Sequence, residues 1–464
     1  MKKINALAFL SLISSLAFCH TQEELLEKLY QNNAEIIKAE SEYMQACLDV
    51  KDAKGGRGPS IDLQISGTYM VNPPIGEISV GTDDISSILA DEGYPVVLPI
   101  NRSVVVYEGM EHTLYNFELS LTQPVFTWGK ITNAIKLYEQ VADIKLLQKN
   151  DLIHKKEIEL LSRETAFYYL TKMESLLDEQ ARYARRLVEI SEAYAKNGLL
   201  LNQDVLNAKI KAQEVDVAKK NLQREKEIQL IEMQKLFSGN GEMFELLALE
   251  INYVPDDKKL NKYLSLSRPA LEELAVNEDN AQIKILKALI ETSRLAKDIA
   301  NASVYWKPDF ALQASLGYAG QRFPWIQEDW NDYGKYSLNF SLGIRTTVWD
   351  GGKAFRDVKR REDDMNNALT QYNDSVMQLK MAAATAYSDL ALAESRWKYQ
   401  NLLVQNDELE LKLHESEYKA GYGTEMDVLK AKIQKITDTI TSYQLQTEMH
   451  LNCLTLDYLT GGRI

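Results

Sequence analysis

Four segments of the chain alternate strictly between apolar and polar residues. They cover residues 61–69, 115–122, 309–318 and 336–345. A period of two places apolar side chains on one face of a strand and polar side chains on the other. About ten residues also suffice for a tilted strand to cross a bilayer. The pattern therefore predicts four amphipathic β-strands, arranged as two hairpins at residues 60–125 and 308–349.

Aromatic residues gather at the ends of these segments. Five of the six tryptophans flank predicted strands, namely Trp128, Trp306, Trp325, Trp330 and Trp349. Such girdles mark the two interfaces of a lipid-facing band in membrane barrels. The alternative is a soluble sheet with one face on a core and the other in water. The placement of the aromatic residues favours a membrane barrel over a soluble sheet.

The rest of the chain has the period of long amphipathic helices. Residues 130–197 and 353–420 are two charged runs without Pro or Gly, each predicting a helix of ~100 Å. Gly198 and Gly421 follow, and glycine supplies the left-handed position at a helix end. Helical patterns then return over residues 202–237 and 425–459. Each run and its return therefore predict one long helical hairpin.

Two short motifs show that this arrangement is duplicated. VFTWGK at 125–130 recurs as VWDGGK at 348–353, and DVLNAK at 204–209 recurs as DVLKAK at 427–432; both separations are 223 positions. Equal offsets at two distant points indicate a copied structural unit. The first repeat is placed at residues 20–250 and the second at 269–464, each beginning with a helical segment (21–54 and 269–302). Residues 251–268, which contain Pro255, are interpreted as a linker.

A sheet that spans a membrane must close on itself. Lipid offers no hydrogen bonds to an open strand edge, and about eight strands are needed merely to fill a barrel with side chains. Four strands per chain therefore predict an oligomer. Three copies would supply twelve strands around a polar, water-filled lumen.

The N-terminus predicts an export signal over residues 1–19. Lys2 and Lys3 precede an apolar run that ends at Cys19, with Ala17 at the −3 position of a cleavage site after Cys19. Cys19 is also a candidate for lipidation, although the bulky Phe18 before it is unfavourable. A buried N-terminal helix is the remaining alternative.

Net charge and the motifs present limit the classes of function that we expect for this chain. The net charge of −14 over 464 residues repels phosphate backbones, which excludes nucleic acid as a partner. The five histidines have no metal-ligand spacing, and no phosphate-binding loop or hydrolase motif is present. We therefore expect no enzymatic activity, no cofactor and no metal.

The duplicated order resembles the TolC-type outer-membrane efflux proteins (outer membrane factors). Its most specific features are a glycine followed six residues later by Asp-Val-Leu, and the aromatic-Gly-Lys step from strand to helix. Asn33-Ala34 and Asn280-Ala281 stand where the family usually has Asn-Pro. The resemblance implies a membrane α+β fold and a trimeric channel-tunnel, with a β-barrel in the outer membrane and helices in the periplasm. It also implies a periplasmic adaptor (membrane fusion protein) and an inner-membrane pump, in tripartite efflux or type I secretion.

The resemblance further implies a constriction at the periplasmic tip. By position, Asp427, Asp204 and Tyr418 fall on the family's aspartate ring and tyrosine/arginine network. Gly423 stands where an arginine often holds the closed state, and Lys430 stands where a second acid can occur. Three lysines would offset the field of three carboxylates. The alternative for each aspartate is a helix N-cap, and both roles are compatible.

The helical turns are the predicted docking tip for the adaptor. This tip comprises Gly198, Leu199, Leu200, Gly421, Tyr422 and Gly423. Consecutive apolar residues at an exposed turn suggest a partner surface, or else packing between neighbouring hairpins. For the whole chain, the alternative function is a periplasmic helical scaffold, or a surface adhesin or antigen without transport.

Overall fold

The computed structural model describes residues 22–94, 96, 98, 102–239, 253–304, 306–321, 323 and 333–462. The predicted signal peptide, Cys19, Trp325 and Trp330 lie outside these residues. The described chain divides into two compact units that cut across the repeats. A helical unit comprises residues up to 47, 139–293 and from 364 on. A sheet unit comprises residues 48–138 and 294–363.

Four long helices carry the repeats. The first hairpin consists of α4 (Lys130–Lys196) and α5 (Asn202–Leu236). The second consists of α9 (Lys353–Lys419) and α10 (Glu425–Thr460). Every predicted long helix is confirmed to within about one residue at each end. Three of these helices, α4, α9 and α10, end next to a glycine with a left-handed backbone, namely Gly198, Gly421 and Gly461.

The helical segment that begins each repeat is interrupted, where the pattern predicted one continuous helix. The first repeat begins with α1 (Gln22–Asn32) and α2 (Ala34–Gly55), and the second with α7 (Arg268–Ala275) and α8 (Ala281–Ala302). Asn33 and Asn280 stand at the breaks. Each side-chain carbonyl accepts from a main-chain N–H two residues later, at 3.0 Å from Glu35 and 2.9 Å from Gln282. A side chain that caps the following helix ends the preceding one.

The core of the helical unit consists of clusters between these helices. One cluster packs Leu25, Leu29 and Ile36 against Leu160, Phe167, Met233, Leu236 and Phe237. Its counterpart in the second repeat includes Leu260, Tyr263 and Leu271, packed against Leu390, Met449 and Leu456. Tyr263 comes from α6 (Asp257–Ser265), so half of the predicted linker is a helix, and Leu260 and Tyr263 of this helix pack against α10. Short helices of this kind gain stability mainly from packing an amphipathic face.

The larger sheet of the sheet unit has four strands, β1 (Ser60–Tyr69), β4 (Thr113–Phe126), β5 (Asp309–Gly320) and β6 (Tyr336–Arg345). They are antiparallel and lie in the order β1-β4-β5-β6. All four predicted strands and both hairpins are confirmed. The pairing of β4 with β5 joins the two repeats, and sequence alternation did not predict it.

The register keeps each face uniform across all four strands. One row of paired residues on the apolar face is Ile65, Phe117, Tyr318 and Tyr336, and the next row on the polar face is Gln64, Glu118, Gly317 and Ser337. A shift of one residue in any strand would exchange its faces. The strand pairing therefore preserves the apolar and polar faces that the alternating sequences predict.

The long connection between β1 and β4 forms a small structure of its own. Strands β2 (Ile78–Gly81) and β3 (Ser103–Tyr107) pair antiparallel, and α3 (Thr82–Asp91) follows β2. Among the described residues, no helix combines the length and apolar character needed to cross a membrane.

Candidate functional site at the helical turns

The first hairpin turns through a glycine-ended helix. Gly198 has a left-handed backbone (φ +72°), and the main-chain N–H of Leu199 donates to the carbonyl of Tyr194 at 2.9 Å. This geometry satisfies the last carbonyls of α4. It also turns Leu199 outward, where its side chain is 71 % exposed. Leu200 instead lines a cavity between the two hairpins.

The second hairpin turns in the same way, with one closer approach. Gly421 is left-handed (φ +80°), and the N–H groups of Tyr422 and Gly423 donate to the carbonyl of Glu417 at 2.9 and 3.1 Å. A Cβ atom at Gly423 would lie 3.0 Å from the Cβ of Glu417. Glycine at 423 therefore permits this tight turn, and Tyr422 is left 91 % exposed.

The predicted N-cap positions of the helices that follow the turns are held by Leu201 and Thr424, and each aspartate lies at N3, three residues later. The main-chain N–H of Leu201 donates to Oδ2 of Asp204 at 3.3 Å. Thr424 donates to Oδ2 of Asp427 from its hydroxyl at 2.6 Å and from its N–H at 3.3 Å, and Thr424 Oγ1 accepts from the N–H of Asp427. This reciprocal arrangement is a capping box. The capping role of each aspartate is thus built into the turn.

The cap also keeps Asp427 ionised. Hydrogen bonds from Thr424 lower the pKa of Asp427, and the charges of Lys430 and His414 act in the same direction. Donors that bind the charged form stabilise it. The folded turn therefore favours the charged form of Asp427.

The structure brings only some of the predicted site residues together. Asp204 and Lys430 line the same cavity of about 390 Å³, although they come from different repeats. Within the described part of the chain, the Tyr418 hydroxyl makes no hydrogen bond to either aspartate. Among the described residues, one chain alone therefore does not form a family-type network through Tyr418.

A different link joins the two hairpins near the turns. The guanidinium of Arg186 on α4 donates to both carboxyl oxygens of Glu425, the first residue of α10, at 2.9 and 3.3 Å. Bidentate pairing fixes orientation as well as distance. Sequence analysis missed this pair because the relative register of two hairpins leaves no local signal.

Contacts along α4 and α10 extend this link. Gln180 donates to the hydroxyl of Thr437 at 2.8 Å, and the Lys432 ammonium lies 5.2 Å from the centre of the Tyr183 ring. Leu187, Ile190, Ala208 and Leu429 form an apolar cluster at the same level. The two hairpins are thus held together by a strip of polar and apolar contacts that begins two residues from Asp427.

No cluster of three or more His, Cys, Asp or Glu side chains that could hold a metal occurs among the described residues. The site consists of two capped aspartates, one lysine and exposed apolar turns. It combines charged side chains with exposed apolar ones.

Comparison with known proteins agrees with this description. Residues 276–462 match the family model Outer membrane efflux protein. No curated protein sequence matches the chain. The fold is similar to that of VceC, an outer membrane protein of Vibrio cholerae, at 18 % identity and a TM-score of 0.70, covering 95 % of this chain and 96 % of that one.

Two further solved structures have the same fold. A membrane protein from Pseudomonas aeruginosa has a TM-score of 0.72 at 14 % identity, over 96 % of this chain and 95 % of that one. The CmeC outer membrane channel of Campylobacter jejuni has a TM-score of 0.70 at 11 % identity, over 95 % and 85 %. The second repeat therefore matches the outer membrane efflux protein family, and the described chain as a whole has the TolC-like fold of non-enzymatic outer membrane channels with a helical part in the periplasm.

Proposed function

We propose that this chain forms a homotrimeric exit duct of a tripartite efflux or type I secretion system. The duct is passive and carries small molecules or proteins. It is gated at the helical turns, where a periplasmic adaptor docks and connects it to an inner-membrane pump. The observation that carries this proposal is the amphipathic four-stranded sheet.

The edges of that sheet favour closure by further copies. In the order β1-β4-β5-β6, the outer edges of β1 and β6 have no partner strand among the described residues. One face is apolar along most of its length and suits lipid, whereas the other is mostly polar and suits water. Open edges in lipid leave backbone groups unsatisfied. Pairing β1 of one copy with β6 of the next satisfies them, and three copies give a twelve-stranded barrel.

The helical unit carries matching surfaces for the same assembly. On α9, exposed apolar side chains recur at spacings of three, four and seven, at Tyr399, Leu402, Leu409 and Leu413. On α5 they recur at Leu206, Ile210, Val217 and Ile231. Such spacing is typical of helix-packing seams. Because the two seams belong to different repeats, pairing them between copies is head-to-tail and closes a ring.

The turns support the gate and the docking site. In a three-fold assembly, three ionised Asp427 side chains near the axis would attract cations, and three Lys430 side chains would reduce that attraction. Asp204 and Tyr418 would line the same constriction. Exposed Leu199 and Tyr422, together with Gly198, Leu200, Gly421 and Gly423, would form the adaptor surface.

Reconstitution of the purified protein in planar bilayers tests the duct and the gate. We expect detergent-resistant trimers, a cation-preferring conductance, and block by a trivalent lanthanide ion added on the helical side. Asp427→Asn should weaken that block at least tenfold without changing the trimer. Asp389→Asn, at an exposed position on α9, is the matched control. Recovery of water-soluble monomers without detergent would refute the proposal.

A photo-crosslinking residue at position 199 or 422 tests docking in cells. We expect crosslinks to a protein of the periplasmic adaptor class. The same residue at Ile88, which is exposed on α3, should give none. Equal crosslinking at all three positions would contradict docking at the turns.

A further inference from the structure

Two acidic side chains face each other across the second hairpin. Asp407 on α9 is only 7 % exposed, and its Oδ2 atom is buried with no hydrogen-bond partner among the described residues. The neighbouring group is the carboxyl of Asp438 on α10, within hydrogen-bonding reach. Neither residue belongs to the predicted gate or docking surface.

Asp438 is held as an acceptor on both carboxyl oxygens. The amide of Gln400 donates to Oδ1 at 2.6 Å, and the amide of Gln434 donates to Oδ2 at 2.7 Å. Gln400 also donates to the main-chain carbonyl of Asp438 at 3.2 Å. Both carboxyl oxygens of Asp438 therefore already serve as acceptors. The proton of the pair therefore belongs on Asp407.

A proton on Asp407 resolves two unfavourable features at once. Two adjacent carboxylates repel each other, and water has little access to the one on Asp407. A buried acceptor oxygen without a donor also destabilises the folded chain. A protonated Asp407 donates to Asp438, which removes both the repulsion and the unpaired buried oxygen. Burial, followed by the hydrogen bond and the charge of Asp438, raises the pKa of Asp407 to about 6.

Few other charges act on the pair. Glu410 on α9 adds to the repulsion, and Lys435 on α10 offsets part of it. These are the charged groups that face Asp407 from the two helices. Periplasmic pH follows that of the medium, so this proton can be gained or lost under ordinary conditions.

We infer that Asp407 and Asp438 form a proton-dependent clasp between α9 and α10. Asp407 precedes Gly421 by 14 positions and Asp438 follows Thr424 by 14, which places the clasp ~21 Å along the helices from the turn. In acidic medium the shared proton holds the helices together. Above neutral pH both carboxylates are charged, and the repulsion loosens the hairpin. The consequence for conductance rests on the proposed gate at the turns.

The sign of the pH effect follows from proton linkage. A group with a raised folded-state pKa stabilises the fold below its ordinary pKa, and that stabilisation is lost as the pH rises through its folded value. A change of about two pKa units corresponds to about a hundredfold change in the ratio of clasped to loosened hairpins. The stabilisation by the proton on Asp407 is therefore lost between about pH 4 and pH 7.

Asp407→Asn tests the clasp, because the asparagine amide donates to Asp438 at every pH. We expect the thermal midpoint of the wild-type trimer to fall by several degrees from pH 5 to pH 7.5, and that of the variant to fall clearly less. Wild-type open probability in bilayers should rise over the same interval, whereas the variant should keep its acidic value. Asp389→Asn, an exposed substitution of the same kind on α9, should behave as wild type.

Asp438→Asn is the second variant should the first fail to fold, since its amide can donate to Asp407. Wild-type pH dependence of the thermal midpoint in both Asn variants would overturn the inference. Absence of any conductance in the wild-type protein would refute the proposed duct, while the thermal measurement would still decide the clasp.

Discussion

The side-chain amide of Asn33 donates a hydrogen bond to the carbonyl oxygen of Leu236, at 2.8 Å and across 203 positions of sequence. Asn280 makes the equivalent bond to Leu459 at 2.9 Å. Leu236 and Leu459 are 223 positions apart, the same offset as the repeated motifs. In both repeats, the break between the first two helices is therefore hydrogen-bonded to the end of the second long helix, α5 or α10.

Asn33→Ala is predicted to lower the free energy of unfolding by about 1–2 kcal/mol. The substitution removes the cap of α2 and leaves the buried Leu236 carbonyl without this donor. Asn33→Asp keeps the cap but loses the donor, so it separates the two contributions. Asn367→Ala, exposed on α9, is the control. Thermal denaturation of the trimer measures the difference, and equal midpoints for Asn33→Ala and Asn367→Ala would contradict this role.

A charged side chain is predicted to impair membrane assembly on one face of β6 and to be tolerated on the other face. Phe340 lies on the apolar face and is 78 % exposed, whereas the adjacent Asn339 lies on the polar face. Phe340→Arg should destabilise membrane assembly by about 2–4 kcal/mol. Asn339→Arg should assemble normally, because its side chain meets water. Heat-modifiable trimers on gels report assembly, and a similar loss in both variants would contradict the assignment of the faces.

The Arg186–Glu425 pair is predicted to hold the two hairpins in their observed arrangement. Both side chains are partly exposed, so each pair contributes only about 0.2–1 kcal/mol, but three pairs act in a trimer. Arg186→Ala should raise the open probability several-fold, and the exchange Arg186→Glu with Glu425→Arg should restore part of the closed state. Arg185→Ala is the matched control, since Arg185 pairs with Asp216 inside the first hairpin. An unchanged conductance in Arg186→Ala would sink this prediction.

Glu164 is predicted to make the helical unit less stable as the pH rises. Its side chain is 1 % exposed, Oε2 has no partner among the described residues, and burial raises its pKa to about 7. Stabilisation is therefore complete below about pH 4.5 and is lost as the pH rises through about 7, by up to about 3 kcal/mol.

Glu164→Gln should remove this part of the pH dependence without altering that of Asp407. Thermal midpoints between pH 5 and pH 8 provide the measurement. Glu273→Gln, at an exposed position on α7, should leave the profile unchanged. A Glu164→Gln profile that follows the wild type would show that the carboxyl is not the group that titrates.

The sequence was most informative where structure depends on local rules. Residues 130–196 lack any helix breaker, and Gly198 supplies a left-handed residue, so both ends of the first hairpin could be placed from sequence. Asp204 and Asp427 were predicted as N-caps, whereas Leu201 and Thr424 hold the N-cap positions and the aspartates bond back to them from N3. The break at Asn33 was missed, because the bond to Leu236 that accompanies it spans 203 positions.

By itself, the sequence determined the duplicated order of elements, the four strands with their two faces, and the positions of the turns, since each follows from periodicity or from a single special residue. Only the tertiary structure decided that β4 pairs with β5, that Arg186 meets Glu425, and that Asp407 lies buried beside Asp438. These contacts join segments far apart in the chain. Their geometry depends on how long helices and strands are set in register, and no local pattern records that register.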